Sequence, residues 1–147
     1  MFFTGFVRYS SDIQNSKASK DKDKTLREML SLVDEGERIL VSKDINLDEF
    51  GILLDTAWKF KRKTGGNVST PIIDEYYKKA LKAGALGGKL LGAGGGGFLL
   101  FYVPEDKKTQ VMAALKDLLY VPFEFENGGT SIIHYSDEAY GGIGELL

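Results

Sequence analysis

Apolar side chains recur at intervals of three and four residues in four stretches of the chain, which predicts four amphipathic helices. Thr25 and Glu28 match a capping box at the start of the first helix, and Asn46 is a candidate cap for the second. Thr70 followed by Pro71 is typical of the start of the third. The apolar positions of these helices are Leu26, Met29, Leu30, Val33 and Leu40; Leu47, Phe50, Leu54, Ala57 and Trp58; Ile73, Tyr76, Tyr77, Ala80 and Leu81; and Val111, Met112, Leu115, Leu118 and Leu119.

Short apolar runs between turn residues predict the strands. They cover residues 1–9, 85–91, 98–103, 121–125 and 130–135. The resulting order is one strand, three helices, two strands, one helix and two strands. Helices and a mostly antiparallel sheet in this order indicate the α+β class.

Composition narrows the kind of protein. A chain of 147 residues with 43% hydrophobic and 27% charged positions suits one globular domain, which we assign to residues 1–138 with a glycine-rich tail at 139–147. A net charge of −2 argues against bulk electrostatic binding of nucleic acid. No apolar run approaches the roughly 20 residues that span a bilayer, and no secretory signal is evident, so we expect a cytoplasmic protein without a membrane partner.

The run Gly92-Ala93-Gly94-Gly95-Gly96-Gly97 is the strongest candidate for a functional loop. Ordering five glycines is entropically costly, and a structural hairpin rarely needs so many. The run matches G-x-G-x-x-G, but a strand follows it where a dinucleotide-binding loop requires a helix. A Walker A motif also fails, because Leu90 stands where Ser or Thr is required. We therefore favour a functional loop over a purely structural turn.

Other chemistry-bearing residues are few. The basic cluster Lys59, Lys61, Arg62 and Lys63 ends the second helix, where cations complement the helix dipole on a solvated face. The alternative is contact with an anionic substrate group. His134 is the only histidine and fits a structural or surface role. The absence of cysteine excludes disulfides and thiolate ligands, and no cluster predicts a metal site.

The segment Lys89–Phe98 resembles the third, C-terminal motif of the GHMP small-molecule kinases, and the wider segment 84–104 looks most like the bacterial heptose 7-phosphate kinase branch. The resemblance implies a ferredoxin-like α/β sandwich within an enzyme that transfers the γ-phosphoryl group of ATP to a sugar hydroxyl. It also implies that the loop lies at the nucleotide and substrate site. The loop residues are Gly92, Ala93, Gly94, Gly95, Gly96 and Gly97, and the possible substrate-side residues are Arg8, Lys89, Lys59 and Arg62.

The chain departs from the family pattern in one respect. It contains nothing like Pro-x-x-x-Gly-Leu-Gly-Ser-Ser-Ala, the family's ATP phosphate-binding motif. We therefore expect no catalytic residue in this chain, no kinase activity from it alone and no tight binding of ATP or Mg²⁺. The expected partners are an N-terminal kinase domain and a sugar phosphate. The alternative is a stand-alone ferredoxin-like module that binds or senses a ligand.

Overall fold

The computed structural model describes residues 1–6, 20–63, 68–92 and 94–132, with residues 20–23 described in their backbone alone. Helices and strands in this part of the chain are β1 (Phe2–Phe3), α1 (Lys20–Val41), α2 (Asp48–Lys63), α3 (Pro71–Lys82), β2 (Gly87–Leu91), β3 (Phe98–Tyr102), α4 (Lys108–Ala114) and β4 (Leu119–Tyr120). A 3-10 turn, Glu105–Lys107, leads into α4.

The strands form one antiparallel sheet in the order β2-β3-β1-β4. The β2 and β3 strands pair as a hairpin across the glycine run, and β1 lies between β3 and β4. Strands β1 and β2, which α1, α2 and α3 connect along the chain, are thus not neighbours in the sheet. The β3 strand lies between them. This strand order with packed helices is that of a ferredoxin-like sandwich, so the predicted fold class is confirmed.

One face of the sheet forms the centre of the core. The strand register places Leu90, Leu99, Phe2 and Tyr120 side by side across the four strands. Leu99 is fully buried and Phe2 is 5% exposed. Helices α3 and α4 cover this row with Ile73, Tyr77, Ala80 and Val111, together with Leu115 just after α4. Burial of one such side chain typically stabilises a fold by about 1.5–3 kcal/mol.

Two predicted helix starts are confirmed by side-chain caps. The hydroxyl of Thr70 accepts a hydrogen bond from the Ile73 amide at 3.3 Å where α3 begins. Asn46 Oδ1 accepts from the Asp48 amide at 3.0 Å where α2 begins. Each cap satisfies an amide that has no partner inside its helix.

The predicted start of α1 is wrong. The helix begins at Lys20, so Thr25 and Glu28 lie inside it and form no capping box. It packs against α2 where Gly36 approaches Leu53, and a Cβ at position 36 would lie 3.3 Å from Leu53 Cδ2. Because α1 contacts α2 through the face that carries Gly36, much of the apolar stripe predicted for α1 remains exposed.

The last strand also differs from the prediction. The chain joins the sheet at β4, whereas residues 121–125 are not in a strand. Only two residues of β1 are available for pairing, and Pro122 lacks an amide hydrogen, so the pairing ends after the Val121 amide donates to the Met1 carbonyl at 2.8 Å. In the predicted strand 130–135, residues 130–132 are irregular and the others lie outside the described residues, as does the predicted tail 139–147.

A single hydroxyl connects three elements next to the glycine hairpin. Tyr77 Oη, on α3, accepts from the Gly88 amide at 3.1 Å and donates to Asp55 Oδ1 on α2 at 2.9 Å. The Gly88 carbonyl lies 3.2 Å away. Burial raises the pKa of Tyr77, and the negative charge and hydrogen bond of Asp55 raise it further. These bonds fix the start of β2 relative to both helices, one residue before Lys89.

We predict that Tyr77→Phe lowers the free energy of unfolding by about 1–3 kcal/mol, because buried partners lose their hydrogen bonds. Folding raises the pKa of Tyr77. The stability that its hydroxyl contributes is therefore complete below the pKa of the unfolded state, about 10, and is lost as pH rises toward the pKa of the folded state. Urea denaturation of the variant should therefore be less sensitive to alkaline pH than that of the wild type.

Tyr76→Phe is the matched control, since Tyr76 is on the same helix and its hydroxyl has no hydrogen bond within the described part of the chain. Equal losses of stability in the two variants would contradict the role assigned to the Tyr77 hydroxyl.

Candidate functional site

The glycine run forms an ordered turn whose backbone requires glycine. Gly92, Gly94, Gly95 and Gly97 have φ values of 109°, 97°, 69° and 107°. Residues with a side chain rarely adopt this region, so each of these positions favours glycine on backbone grounds alone. The described part of the run is therefore a built turn between two strands, as the strand–loop–strand pattern predicts.

The turn is held against the segment that follows β1. The carbonyl of Gly97 accepts from the Thr4 amide at 2.9 Å and from the Thr4 hydroxyl at 2.8 Å, and the Gly97 amide donates to the Phe6 carbonyl at 2.8 Å. A Cβ on Gly96 would lie 2.5 Å from the Phe6 carbonyl oxygen. The two segments therefore approach each other closely enough to exclude a side chain at position 96.

A further bond joins the turn to the connection between α2 and α3. The Gly95 amide donates to the Val68 carbonyl at 3.1 Å. Gly94, Gly95 and Gly96 are all buried. Among the described residues, the amides of Gly94 and Gly96 have no hydrogen-bond partner.

A cavity of about 430 Å³ lies beside the turn. Its polar lining consists of the Lys61 and Lys89 side chains and the backbone of Gly92 and Gly94, with no Asp or Glu among the described lining residues. The apolar lining residues are Met29, Leu54, Ala57, Trp58, Val68, Leu90 and Leu91. Two lysines beside a largely apolar wall are a combination that favours an anionic ligand.

Trp58 gives the cavity wall an unusual feature. The residue is 3% exposed, and its Nε1–H is buried with no acceptor among the described residues. Buried side-chain donors normally have a partner. Because Trp58 also lines the cavity, a ligand oxygen there is a candidate acceptor.

The basic residues at the end of α2 have different surroundings in the structure. Lys59 pairs with Asp55 at 2.5 Å, and Arg62 pairs with Asp74 at 2.6 Å. The charges of Lys59 and Arg62 are thus offset within the domain, and neither residue lines the cavity. Lys61 does line it.

The structure brings together only some of the predicted site residues. Lys89, Gly92 and Gly94 line the cavity, while Arg8 and Ala93 lie outside the described residues. Sequence reasoning missed Trp58 and did not separate Lys61 from its neighbours. Their spacing of three places both on one helix face, which is the signal that could have identified them.

Two further observations concern the described part of the chain. None of its helices combines the length and apolar character needed to cross a bilayer. Nor do three or more His, Asp or Glu side chains in it gather into a group that could hold a metal ion.

Comparison with known proteins identifies the family. Residues 40–121 match the family model described as GHMP kinases C terminal. The chain is 31% identical over 119 residues to the D-glycero-alpha-D-manno-heptose 7-phosphate kinase of Campylobacter jejuni, covering 79% of this chain and 35% of that protein. It is 32% identical over 97 residues to the mevalonate kinase of Thermococcus sibiricus, covering 64% of this chain and 28% of that protein.

A solved structure agrees at the level of the fold. The mevalonate kinase of L. major, crystallised with R-mevalonate, superposes with a TM-score of 0.60 at 21% identity, over 79% of this chain and 36% of that one. The chain thus spans about a third of the length of the relatives it matches. The chain belongs to the GHMP kinase family and carries its C-terminal domain.

We predict that Gly96→Ala destabilises the fold by about 1–3 kcal/mol, because the added methyl group would force the turn away from the Phe6 carbonyl. Thermal denaturation would measure the loss. Gly128→Ala is the matched control, since it also lacks a positive φ and its Cβ would meet only the flexible Glu126 side chain, at 3.1 Å. The proposed close packing is refuted if both variants melt at the same temperature.

Proposed function

We propose that the chain works as the C-terminal domain of an ATP-dependent sugar kinase, with a heptose 7-phosphate as the acceptor. One observation carries the proposal: the glycine turn, Lys61 and Lys89 border a single cavity whose described lining has cations and no carboxylate. The similarity to a heptose 7-phosphate kinase favours the sugar phosphate over other acceptors.

The chemistry of phosphoryl transfer suits such a site. The reaction depends mainly on positioning and on stabilising charge on the phosphoryl oxygens. Lysine ammonium groups bind phosphate as point charges, and glycine backbone allows a phosphate to approach without a side chain in the way. On this proposal, Lys89, Lys61 and the backbone of Gly92 and Gly94 contact a phosphate of the nucleotide or of the sugar.

The remaining parts of the reaction are assigned to another domain. ATP and Mg²⁺ serve the complete enzyme, and an N-terminal kinase domain supplies the phosphate-binding loop, the metal ligands and the catalytic residues. The support is the lack of the Gly-Leu-Gly-Ser-Ser segment here and the coverage of only about a third of the related kinases. ATP and sugar phosphates are intracellular metabolites, so we place the enzyme in the cytoplasm.

We predict that the 147-residue chain, given ATP, Mg²⁺ and a heptose 7-phosphate, forms no ADP above background. A longer protein that also carries a Gly-Leu-Gly-Ser-Ser segment should form ADP from the same mixture. Mevalonate should be a poor acceptor for that protein. A coupled assay for ADP formation measures both. Turnover by the 147-residue chain alone, or a longer product inactive toward every sugar phosphate tested, would refute the proposal.

A second candidate function is a stand-alone ligand-binding or regulatory module of ferredoxin-like fold. One observation favours it: α1, α2, β2 and the glycine turn all contribute lining residues, so this domain forms a walled cavity by itself. The two functions differ in the affinity expected for the isolated chain. A module should bind its ligand tightly, whereas a separated half-site should bind weakly.

Trp58 is the only tryptophan and lines the cavity, so its fluorescence reports on occupancy. We predict that inorganic phosphate or heptose 7-phosphate changes this fluorescence with a Kd of about 1 mM or weaker, and that Lys89→Gln weakens binding about tenfold by removing a charge-assisted contact. Lys78→Gln, an exposed residue of α3 that does not line the cavity, is the control.

Micromolar binding by the isolated chain would favour the module over the kinase domain. Equal binding by the Lys89 and Lys78 variants would show that the cavity is not the ligand-binding site under either proposed function.

A further inference from the structure

The exposed segment after β4 contains a chemically reactive pair of residues. Residues 122–132 are all exposed and belong to no helix or strand. Asn127 lies in this segment and precedes Gly128, whereas the other asparagines of the chain precede serine, leucine or valine. Because glycine has no Cβ, the backbone nitrogen that follows Asn127 is the least hindered of these to an approach by the asparagine side chain.

The Asn127 side chain is not held in place by the described part of the chain. It forms no hydrogen bond with a described residue. Asn46, which is also exposed, differs in this respect, since its Oδ1 accepts from the Asp48 amide at 3.0 Å and its Nδ2 donates to Asp48 Oδ2 at 3.4 Å. The side-chain carbonyl carbon of Asn127 is therefore free to turn toward the next backbone nitrogen, whereas the cap at Asn46 opposes that movement.

A neighbouring carboxylate provides a proton acceptor for this nitrogen. The Gly128 amide donates a hydrogen bond to Glu126 Oε1 at 2.7 Å. A general base has to lie within about 2.6–3.2 Å of the atom whose proton it removes. Glu126 thus meets the distance requirement at the Gly128 nitrogen before any rearrangement of the backbone.

We propose that Asn127 is a site of spontaneous deamidation, in which the Gly128 nitrogen is the nucleophile and Glu126 accepts its proton. The Gly128 nitrogen attacks Asn127 Cγ, so an N–Cγ bond forms and the Cγ–Nδ2 bond breaks. Nδ2 leaves as ammonia with the proton that Glu126 passes on, and a succinimide ring remains. Water then opens the ring at either of its carbonyl carbons, which gives aspartate or isoaspartate. In total one water molecule is consumed and one ammonia is released.

The reaction changes the charge of one exposed segment and leaves the core untouched. It adds one negative charge, beside Glu124 and Glu126, to a chain whose formal net charge is −2. Isoaspartate also lengthens the backbone by one carbon atom. Because residues 122–132 contribute neither to the sheet nor to the buried core, we expect the modified chain to remain folded.

Peptide mapping by mass spectrometry tests the proposal on the 147-residue chain, kept folded at neutral pH for increasing times. We expect the peptide that contains Asn127 to gain the mass difference between an amide and a carboxyl group. Electron-based fragmentation should detect both aspartate and isoaspartate at this position. Asn46 is the internal control and should stay unmodified while Asn127 is converted.

Variants at the three positions separate the parts of the reaction. Asn127→Gln should abolish the modification, because glutamine would have to form a larger ring that closes more slowly. Gly128→Ala and Glu126→Gln should each slow the conversion of Asn127 about tenfold, the first by hindering the nucleophile and the second by removing the base. Circular dichroism should show the same folded spectrum for every variant.

The outcomes that would overturn the proposal are equally specific. An Asn127 that stays unmodified throughout the incubation would show that the folded segment keeps it away from the Gly128 nitrogen. Conversion of Asn46 at the same rate would show that neither the glycine neighbour nor the free side chain matters. Equal rates for Glu126→Gln and the wild type would exclude Glu126 as the proton acceptor.

Discussion

The close backbone contact between the glycine turn and the segment after β1 is the constraint on which the rest of the structure depends. The Thr4 amide and hydroxyl both donate to the Gly97 carbonyl, at 2.9 and 2.8 Å, and Gly96 lies where any side chain would strike the Phe6 carbonyl. This contact joins the first strand to a hairpin that follows it by more than 80 residues. It therefore continues the pairing of β1 with β3 and fixes the turn at the same time.

The candidate site depends on that backbone contact. With the turn fixed on one side by Thr4 and on the other by Val68, the backbone of Gly92 and Gly94 becomes one wall of the cavity. The Tyr77 hydroxyl then sets β2 against α2 and α3, which brings Lys89 of the strand and Lys61 of the helix to the same space. Two cations border the cavity because separate elements carry them, and Lys59 and Arg62, which pair with Asp55 and Asp74, do not line it.

The sequence predicted the parts of the fold that local signals determine. Thr70 and Asn46 mark helix starts by their own side-chain bonds, and the strand–glycine–strand pattern located the hairpin. It failed where tertiary contacts decide. Thr25 matches a cap but lies within α1, and the last strand is shortened because β1 offers only two residues for pairing. The exposure of Leu30 could not be predicted either, since periodicity shows that a face is apolar but not what covers it.

The central claim is that the glycine turn and the lysines beside it form a phosphate-contacting surface of a kinase domain. NMR spectra of the backbone amides and the Trp58 indole N–H of the 147-residue chain, recorded with increasing heptose 7-phosphate, test it most directly. Even weak binding changes these chemical shifts. The account predicts that shifts concentrate at Lys89, Gly92, Gly94 and the Trp58 indole. Shifts confined to other surfaces, with these signals unmoved at saturation, would contradict it.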